Sequence, residues 1–215
     1  DAATADWVGL PEFGHIALPR QRALKAEVLV DALKRFGGIE REVAVEAIDG
    51  DDERGGLGWR TRVKLHVGPD GRPGPVAARS HRVIPVRSLP LAAPAIEASG
   101  ILDDRYTGSD SVEAIATADG GVRLVIGDQR PSTMTEVVNG RAFRVDDTGF
   151  WQVHRLAAAT LDSAVRRARR EAVADSAGAD GVILDAEAWH LDLYGGVGRF
   201  AAARAELGGV RVTSV

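Results

Sequence analysis

Apolar side chains recur at helical spacing in two parts of the chain. The first pattern begins at Pro19 and ends at Gly37 and Gly38, because proline suits the first turn of a helix and glycine suits its end. The second pattern covers about 157–173. Its predicted apolar face consists of Leu161, Ala164, Val165, Ala168 and Ala172. The spacing therefore predicts two long amphipathic helices, each with one face toward a core.

Between these helices, short segments alternate apolar and polar side chains, as β-strands with one buried face do. The predicted strands are 42–48, 59–67, 79–86, 112–117, 122–126 and 141–145. Asp119, Gly120 and Gly121 separate two of them and signal a hairpin. A short helix is predicted over 94–102. The middle of the chain is therefore expected to contain an antiparallel sheet.

A different pattern is found around Asp192. A short apolar strand leads into Asp192 and then into a bend that contains Gly195, Gly196 and Gly198. An alanine-rich helical pattern and a second strand follow. Strand, tight loop and helix in this order form nucleotide-type ligand sites in open α/β sheets.

Three interpretations of this bend stay open on the residues alone. The spacing Gly196-x-Gly198-x-x-Ala201 fits a dinucleotide fingerprint, which predicts an NAD(P)-dependent oxidoreductase. The spacing Asp192-x-x-x-Gly196-x-Gly198 instead resembles the first motif of S-adenosylmethionine (SAM) methyltransferases. SAM carries a sulfonium cation and no phosphate, so a neighbouring carboxylate suits it. The third interpretation is a structural turn that binds nothing.

Composition limits the class of protein. The chain has 215 residues, of which 45% are hydrophobic and 27% charged, as in globular proteins of one large or two small domains. No apolar run approaches the roughly 18–20 residues of a membrane span, so no membrane partner is expected. Because the chain has no cysteine, disulfides and thiolate metal sites within it are excluded. We expect a cytoplasmic protein.

Basic residues are concentrated in one part of this acidic chain. The formal net charge is −4, but residues 54–87 contain eight Lys or Arg and one Asp, a local charge of +7. The strand pattern places several of them on one face of the sheet, beside His66. The candidate phosphate-binding residues are Arg60, Arg62, Lys64, Arg79 and Arg82. A block of one sign favours phosphate binding, and the alternative is a solvated outer face.

Five separated stretches, taken in order, resemble one protein family. They are Gly14-His15-x5-Gln21-x3-Lys25, the Gly-Trp-Arg-Thr-Arg-Val of 58–63, the Ser-His-x-Val-Ile-Pro-Val of 80–86 with Pro90-Leu91, the Phe-Trp-Gln-Val-His of 150–154, and 192–200. The family is the SAM-dependent RNA uracil-5-methyltransferases, which act on uridines in ribosomal or transfer RNA. The similarity looks greatest to actinobacterial members, and it extends over essentially the whole chain.

The resemblance implies an α/β fold in two parts. A central α/β domain with an antiparallel sheet is expected over 1–147, where the five basic residues would bind RNA. The N-terminal part of a Rossmann-like class I methyltransferase domain is expected over 148–215. The SAM-binding residues would be Gln152, Asp192, Tyr194, Gly196 and Gly198. The implied reaction transfers a methyl group from SAM to C5 of a uridine in rRNA or tRNA.

The chain also departs from the family. Many members bind an iron–sulfur cluster through cysteines, and this chain has none, so no cluster is expected. The family's cysteine nucleophile and its base likewise have no counterpart here, so no catalytic residue is assigned. We expect the chain alone to be inactive and a longer parent protein to be the enzyme. A non-catalytic RNA-binding module is the other alternative to the oxidoreductase, and no protein partner is indicated.

Overall fold

The computed structural model describes residues 13–77, 79–178, 189–193, 195–205 and 211–214. The chain divides into two compact units, with Gln129 at the end of the first and Arg130 at the start of the main part of the second. The tip of one hairpin, Thr117–Gly120, groups with the second unit. The domain boundary expected after residue 147 stays a prediction.

The first unit is built around a four-stranded antiparallel sheet. Its elements are α1 (Leu18–Gly37), β1 (Arg62–Val67), β2 (Pro73–Gly74), α2 (Pro94–Glu97), β3 (Ser111–Ala116) and β4 (Val122–Ile126). The strand order is β2-β1-β3-β4. The hairpin expected at Asp119 to Gly121 is confirmed as the β3–β4 connection.

The core of the first unit lies on one face of this sheet. Val63 and Leu65 alternate toward it from β1, and Val112 contributes from β3. Ile96 of α2 and Ile101, in the turn that follows α2, pack against the same face and are fully buried. The period of two residues in the sequence therefore identifies the buried side of β1 correctly.

The first long helix is confirmed, including its end, but its expected core-facing side is wrong: among the described residues no side chain of α1 is buried. Gly38 has a φ of 63°, its N–H donates to the Lys34 carbonyl oxygen (3.2 Å), and the Ile39 N–H donates to the Leu33 carbonyl oxygen (3.1 Å). This pair of bonds is a Schellman motif, which satisfies carbonyls that the helix leaves free and favours glycine at the left-handed position.

The second unit combines an antiparallel hairpin with a parallel strand pair. Its elements are β5 (Thr133–Val138), β6 (Arg141–Asp146), α3 (Ala157–Gly178), β7 (Trp189–Asp192), α4 (Arg199–Ala205) and β8 (Arg211–Ser214). Strands β7 and β8 are parallel and α4 lies between them in the chain, which is the strand–loop–helix–strand arrangement expected from the sequence. The α/β class is thus confirmed.

Among the described residues, no helix combines the length and apolarity that a membrane crossing requires.

Two predicted strands are wrong. Residues 42–48 are irregular, although exposed and half-buried positions alternate there. Alternation is not sufficient for a strand, because a strand also needs a partner for its backbone ladder. Residues 79–86 form a turn and its return arm: the Ala77 N–H donates to the Arg82 carbonyl oxygen over 2.9 Å. Arg79 lies in this turn with a φ of 57°.

The apolar face expected for the second long helix is also wrong in part. Leu161 is 37% exposed, whereas Ala157, Ala158 and Asp162 are buried. The buried face is rotated relative to the purely apolar stripe, because Asp162 has hydrogen-bond partners that make its burial tolerable.

Truncation of Ile96 tests the location of the first core. Ile96→Ala should lower the free energy of unfolding by about 2–5 kcal/mol, because a fully buried side chain leaves a cavity when shortened. Ile39→Ala, at a side chain that is 49% exposed, is the control and should cost less than about 1 kcal/mol. Urea unfolding curves measure both variants, and equal losses would contradict this core.

Candidate ligand-binding site

The loop after β7 has a backbone that only glycine adopts readily. Gly196 has a φ of 56° and Gly198 a φ of 74°, values that cost other residues free energy. The Gly198 N–H donates to the Gly195 carbonyl oxygen over 2.9 Å, which closes the bend. A Cβ built at Gly196 or at Gly198 meets no atom within 4 Å among the described residues. The loop therefore turns sharply and leaves open space beside its backbone.

Asp192 ends β7 immediately before this loop. Its Oδ2 atom is buried and has no hydrogen-bond partner in the part of the chain that the structure describes. A carboxylate oxygen withdrawn from water without a partner is costly, and such atoms in proteins usually face a ligand, an ion or water. A ligand that carries a positive charge or a hydrogen-bond donor would satisfy it.

Arg199 anchors the end of the loop to the start of α3. Its Nη1 donates to the carbonyl oxygen of Ala158 over 2.7 Å, and its guanidinium carbon lies 4.4 Å from the centre of the Phe200 ring. Burial lowers the pKa of the guanidinium, whereas the charge of Asp162 raises it. The group remains charged, because arginine titrates far above neutral pH.

Asp162 connects its own helix, α3, to the β5–β6 hairpin. Its Oδ2 accepts hydrogen bonds from Nδ2 of Asn139 (2.6 Å) and from Nε of Arg166 (2.8 Å). Asn139 lies in the β5–β6 turn, so the bond ties this hairpin to α3. Sequence reasoning missed both Asp162 and Arg199. The available signals were an acidic residue beside the apolar positions of a helix and an arginine directly after the last glycine.

The other expected SAM-binding residues are distributed as follows. Gln152 is half-buried in the irregular segment between β6 and α3. Its neighbour Trp151 lies near Phe143, with ring centres 6.3 Å apart. Tyr194 lies outside the described residues. Asp192 and the two glycines are adjacent through one loop, and the bond from Arg199 brings the start of α3 next to that loop.

The expected basic face of the first sheet is wrong in part. Arg62 is only 7% exposed, and Ile115 and Val125 are buried on the same face of the neighbouring strands. Lys64 is exposed, but Glu113 stands opposite it on β3. The alternation in the sequence predicts on which side of the sheet Arg62 lies. It does not predict whether the side chain is buried there.

The remaining basic candidates differ in how far their side chains are held by neighbouring groups. Nε of Arg60 donates to the carbonyl oxygen of Arg62 over 2.9 Å, and its guanidinium lies 5.7 Å from the Trp59 ring centre. Arg79 and Arg82 are exposed, and neither forms an ion pair with another described residue.

No group of three or more metal-ligating side chains is present among the described residues.

The anchor of the loop can be tested by removing the Arg199 guanidinium. Arg199→Met should cost about 1–3 kcal/mol of stability, because it removes a buried charged hydrogen bond. It should also speed amide hydrogen exchange at Gly198 and Ala202. Arg167→Met, at an exposed arginine of α3, is the matched control and should leave both unchanged. Unchanged exchange in Arg199→Met would show that the loop is held by other contacts.

Several known proteins are similar to this chain. No family model matches it. An uncharacterized RNA methyltransferase of Streptomyces avermitilis is 33% identical, with 91% of this chain and 51% of that protein aligned. Another from Streptomyces coelicolor is 32% identical, covering 91% and 48%, and one from Bifidobacterium longum is 29% identical, covering 95% and 50%. The chain thus spans about half the length of these curated relatives.

A solved structure has a similar fold. It is the tRNA (uracil-54, C5)-methyltransferase of Pyrococcus abyssi in complex with S-adenosyl-L-homocysteine, with a TM-score of 0.56 over 90% of this chain and 56% of that chain. Its sequence identity to the chain is 16%, so the likeness concerns the fold. The similarity to the two Streptomyces proteins, at 32–33% identity over 91% of this chain, shows that the chain belongs to the RNA methyltransferase family.

Proposed function

We propose that the protein containing this chain transfers a methyl group from SAM to C5 of a uridine in rRNA or tRNA. The observation that carries the proposal is the carboxylate oxygen of Asp192, which has no hydrogen-bond partner among the described residues and lies next to the glycine loop, in a chain related to RNA methyltransferases. The fold shared with an enzyme named for C5 of uracil-54 in tRNA supports the choice of base and atom.

The residues around the loop suit SAM. Asp192 would balance the positive charge of the ligand and accept a hydrogen bond from it. Gly196 and Gly198 would let the ligand approach the backbone, because no described side chain occupies that space. Gln152 and Tyr194 are proposed as further contacts. Bound SAM would supply an electrophilic methyl group, and the chain's own residues would hold and orient it.

An NAD(P)-dependent reaction is less well supported by the same loop. A dinucleotide brings phosphates to the glycines, and the negative charge of the Asp192 carboxylate would repel them. The dinucleotide interpretation also provides no partner for the Oδ2 atom, which has none among the described residues. The sign of the charge at the loop therefore favours a cationic ligand.

The first unit is proposed to bind the RNA strand. Lys64, Arg79 and Arg82 are exposed and would contact phosphates, with Arg60 as a more restrained neighbour. Arg62, being buried, would support this surface from within. C5 of a stacked uridine is hard to reach, so the target base would leave the stack to approach the methyl group. The chain contains no cysteine, so the nucleophile that the family resemblance implies would come from elsewhere in the protein.

The reaction can be tested by following the hydrogen at C5. The complete protein is incubated with SAM and with RNA that carries tritium at C5 of uridine. Methylation at C5 should release tritium to water in step with methyl incorporation. Incorporation of methyl groups without tritium release would place the reaction at another atom. If bulk rRNA and tRNA give neither methyl incorporation nor tritium release, the proposed function is contradicted.

The role of Asp192 predicts a specific loss of SAM affinity. Asp192→Asn keeps the shape of the side chain but removes its charge, so SAM should bind about tenfold more weakly, equivalent to about 1.4 kcal/mol. Asp128→Asn, at an exposed aspartate of the first unit, is the control and should bind SAM normally. Isothermal titration calorimetry measures both. Unchanged affinity in Asp192→Asn would remove this residue from the site.

A further inference from the structure

A cleft in the first unit brings Arg105 together with two arginines of the basic block 54–87, Arg72 and Arg87. Its volume is about 360 Å³, within the range of pockets that bind small ligands. The polar part of its lining consists of Arg72, Arg87, Asp103 and Arg105. All three arginines in this lining are exposed, whereas Arg62 of β1 is buried.

Two of the arginines are held in place by one aspartate. Nη1 of Arg105 donates to the backbone carbonyl oxygen of Asp70 over 2.7 Å and lies 3.9 Å from its carboxylate. Nε of Arg72 lies 3.5 Å from the same carboxylate. Arg87 is exposed and has no ion-pair partner in the described part of the chain. Two guanidinium groups are therefore positioned in advance, and the third is free to bind an anion.

The walls of the cleft are closely joined through backbone contacts. The Tyr106 N–H donates to the Gly71 carbonyl oxygen over 2.9 Å, next to the cleft-lining Arg72 and Arg105. A Cβ at Gly74 would collide with the carbonyl oxygen of Ile84, so the two backbones pack directly against each other. This packing and the hydrogen bond join the segments next to the cleft.

We infer that this cleft binds one ribose-phosphate unit of the RNA substrate, an inference that rests on the proposed function. Arg87 would contact the phosphate, supported by the positioned guanidinium groups of Arg72 and Arg105, since arginine suits the geometry of phosphate oxygens. Asp103 would repel a phosphate but accepts a hydrogen bond from a hydroxyl group. It is therefore assigned to the ribose 2′-OH, the group that distinguishes RNA from DNA.

The test is the binding of a fluorescent single-stranded RNA of about 12 nucleotides, and of the same sequence as DNA, to the full chain. Fluorescence anisotropy is measured between about 50 and 200 mM salt. Arg87→Gln should weaken RNA binding about five- to tenfold and reduce the salt slope by about 0.7. Arg35→Gln, at an exposed arginine of α1, is the matched control and should stay within about twofold of the unaltered chain.

A second variant tests the assignment of Asp103. Asp103→Ala should tighten the binding of DNA, because a negative charge is lost, and should reduce the preference for RNA over DNA. Circular dichroism confirms that each variant is folded. If the unaltered chain binds RNA but Arg87→Gln binds it equally well, the cleft inference is wrong and the proposed function stands. If the unaltered chain binds no RNA even at low salt, the RNA-binding role proposed for this unit fails and the cleft inference fails with it.

Discussion

The candidate ligand site depends on the burial of one arginine. Arg199 follows the glycine-rich loop directly, and its guanidinium reaches the carbonyl oxygen of Ala158 at the start of α3. A glycine-rich bend has more conformational freedom than other backbone, so it needs an anchor to keep one geometry. The bond supplies that anchor at the end of the loop, and the ladder between β7 and β8 fixes the other end. The buried charge is tolerated because Asp162 lies nearby.

This arrangement leaves Asp192 in an unusual position. The loop holds the chain in a sharp turn, while the carboxylate before it keeps one buried oxygen without a described partner. Elsewhere in the same unit, the buried carboxylate of Asp162 is satisfied twice. The contrast between the two aspartates is the physical reason to assign a ligand to one and a structural role to the other. Charge then favours a cationic ligand over a phosphate-bearing one.

Local signals in the sequence were sufficient for several elements. Proline and glycine at its ends defined α1, and the Asp-Gly-Gly turn defined the β3–β4 hairpin. The strand, loop and helix around Asp192 followed from the glycine spacing. The sequence of the β5–β6 hairpin carries a comparable signal, although β5 is absent from the strands predicted by alternation. Its two-residue turn, Asn139-Gly140, has positive φ at both positions, as type I′ turns require.

The predictions that were wrong, and the buried aspartate that was missed, depend on contacts between segments far apart in the sequence. Residues 42–48 alternate like a strand but no described strand pairs with them, and periodicity carries no information about partners. Arg62 lies on the side of the sheet that its spacing indicated, yet its side chain is buried there, whereas Lys64 on the same side is exposed. Asp162 is buried because Asn139 and Arg166 reach it, and those residues are brought together only by the fold.

The central claim is that the loop after β7 binds SAM. It is tested most directly by NMR spectra of the chain with 15N-labelled glycine during titration with SAM and, separately, with NADH. Binding at the loop should shift the amide signals of Gly196 and Gly198 with SAM and leave them unchanged with NADH. Shifts with NADH alone would support the dinucleotide interpretation, and no shift with either ligand would contradict a ligand site at this loop.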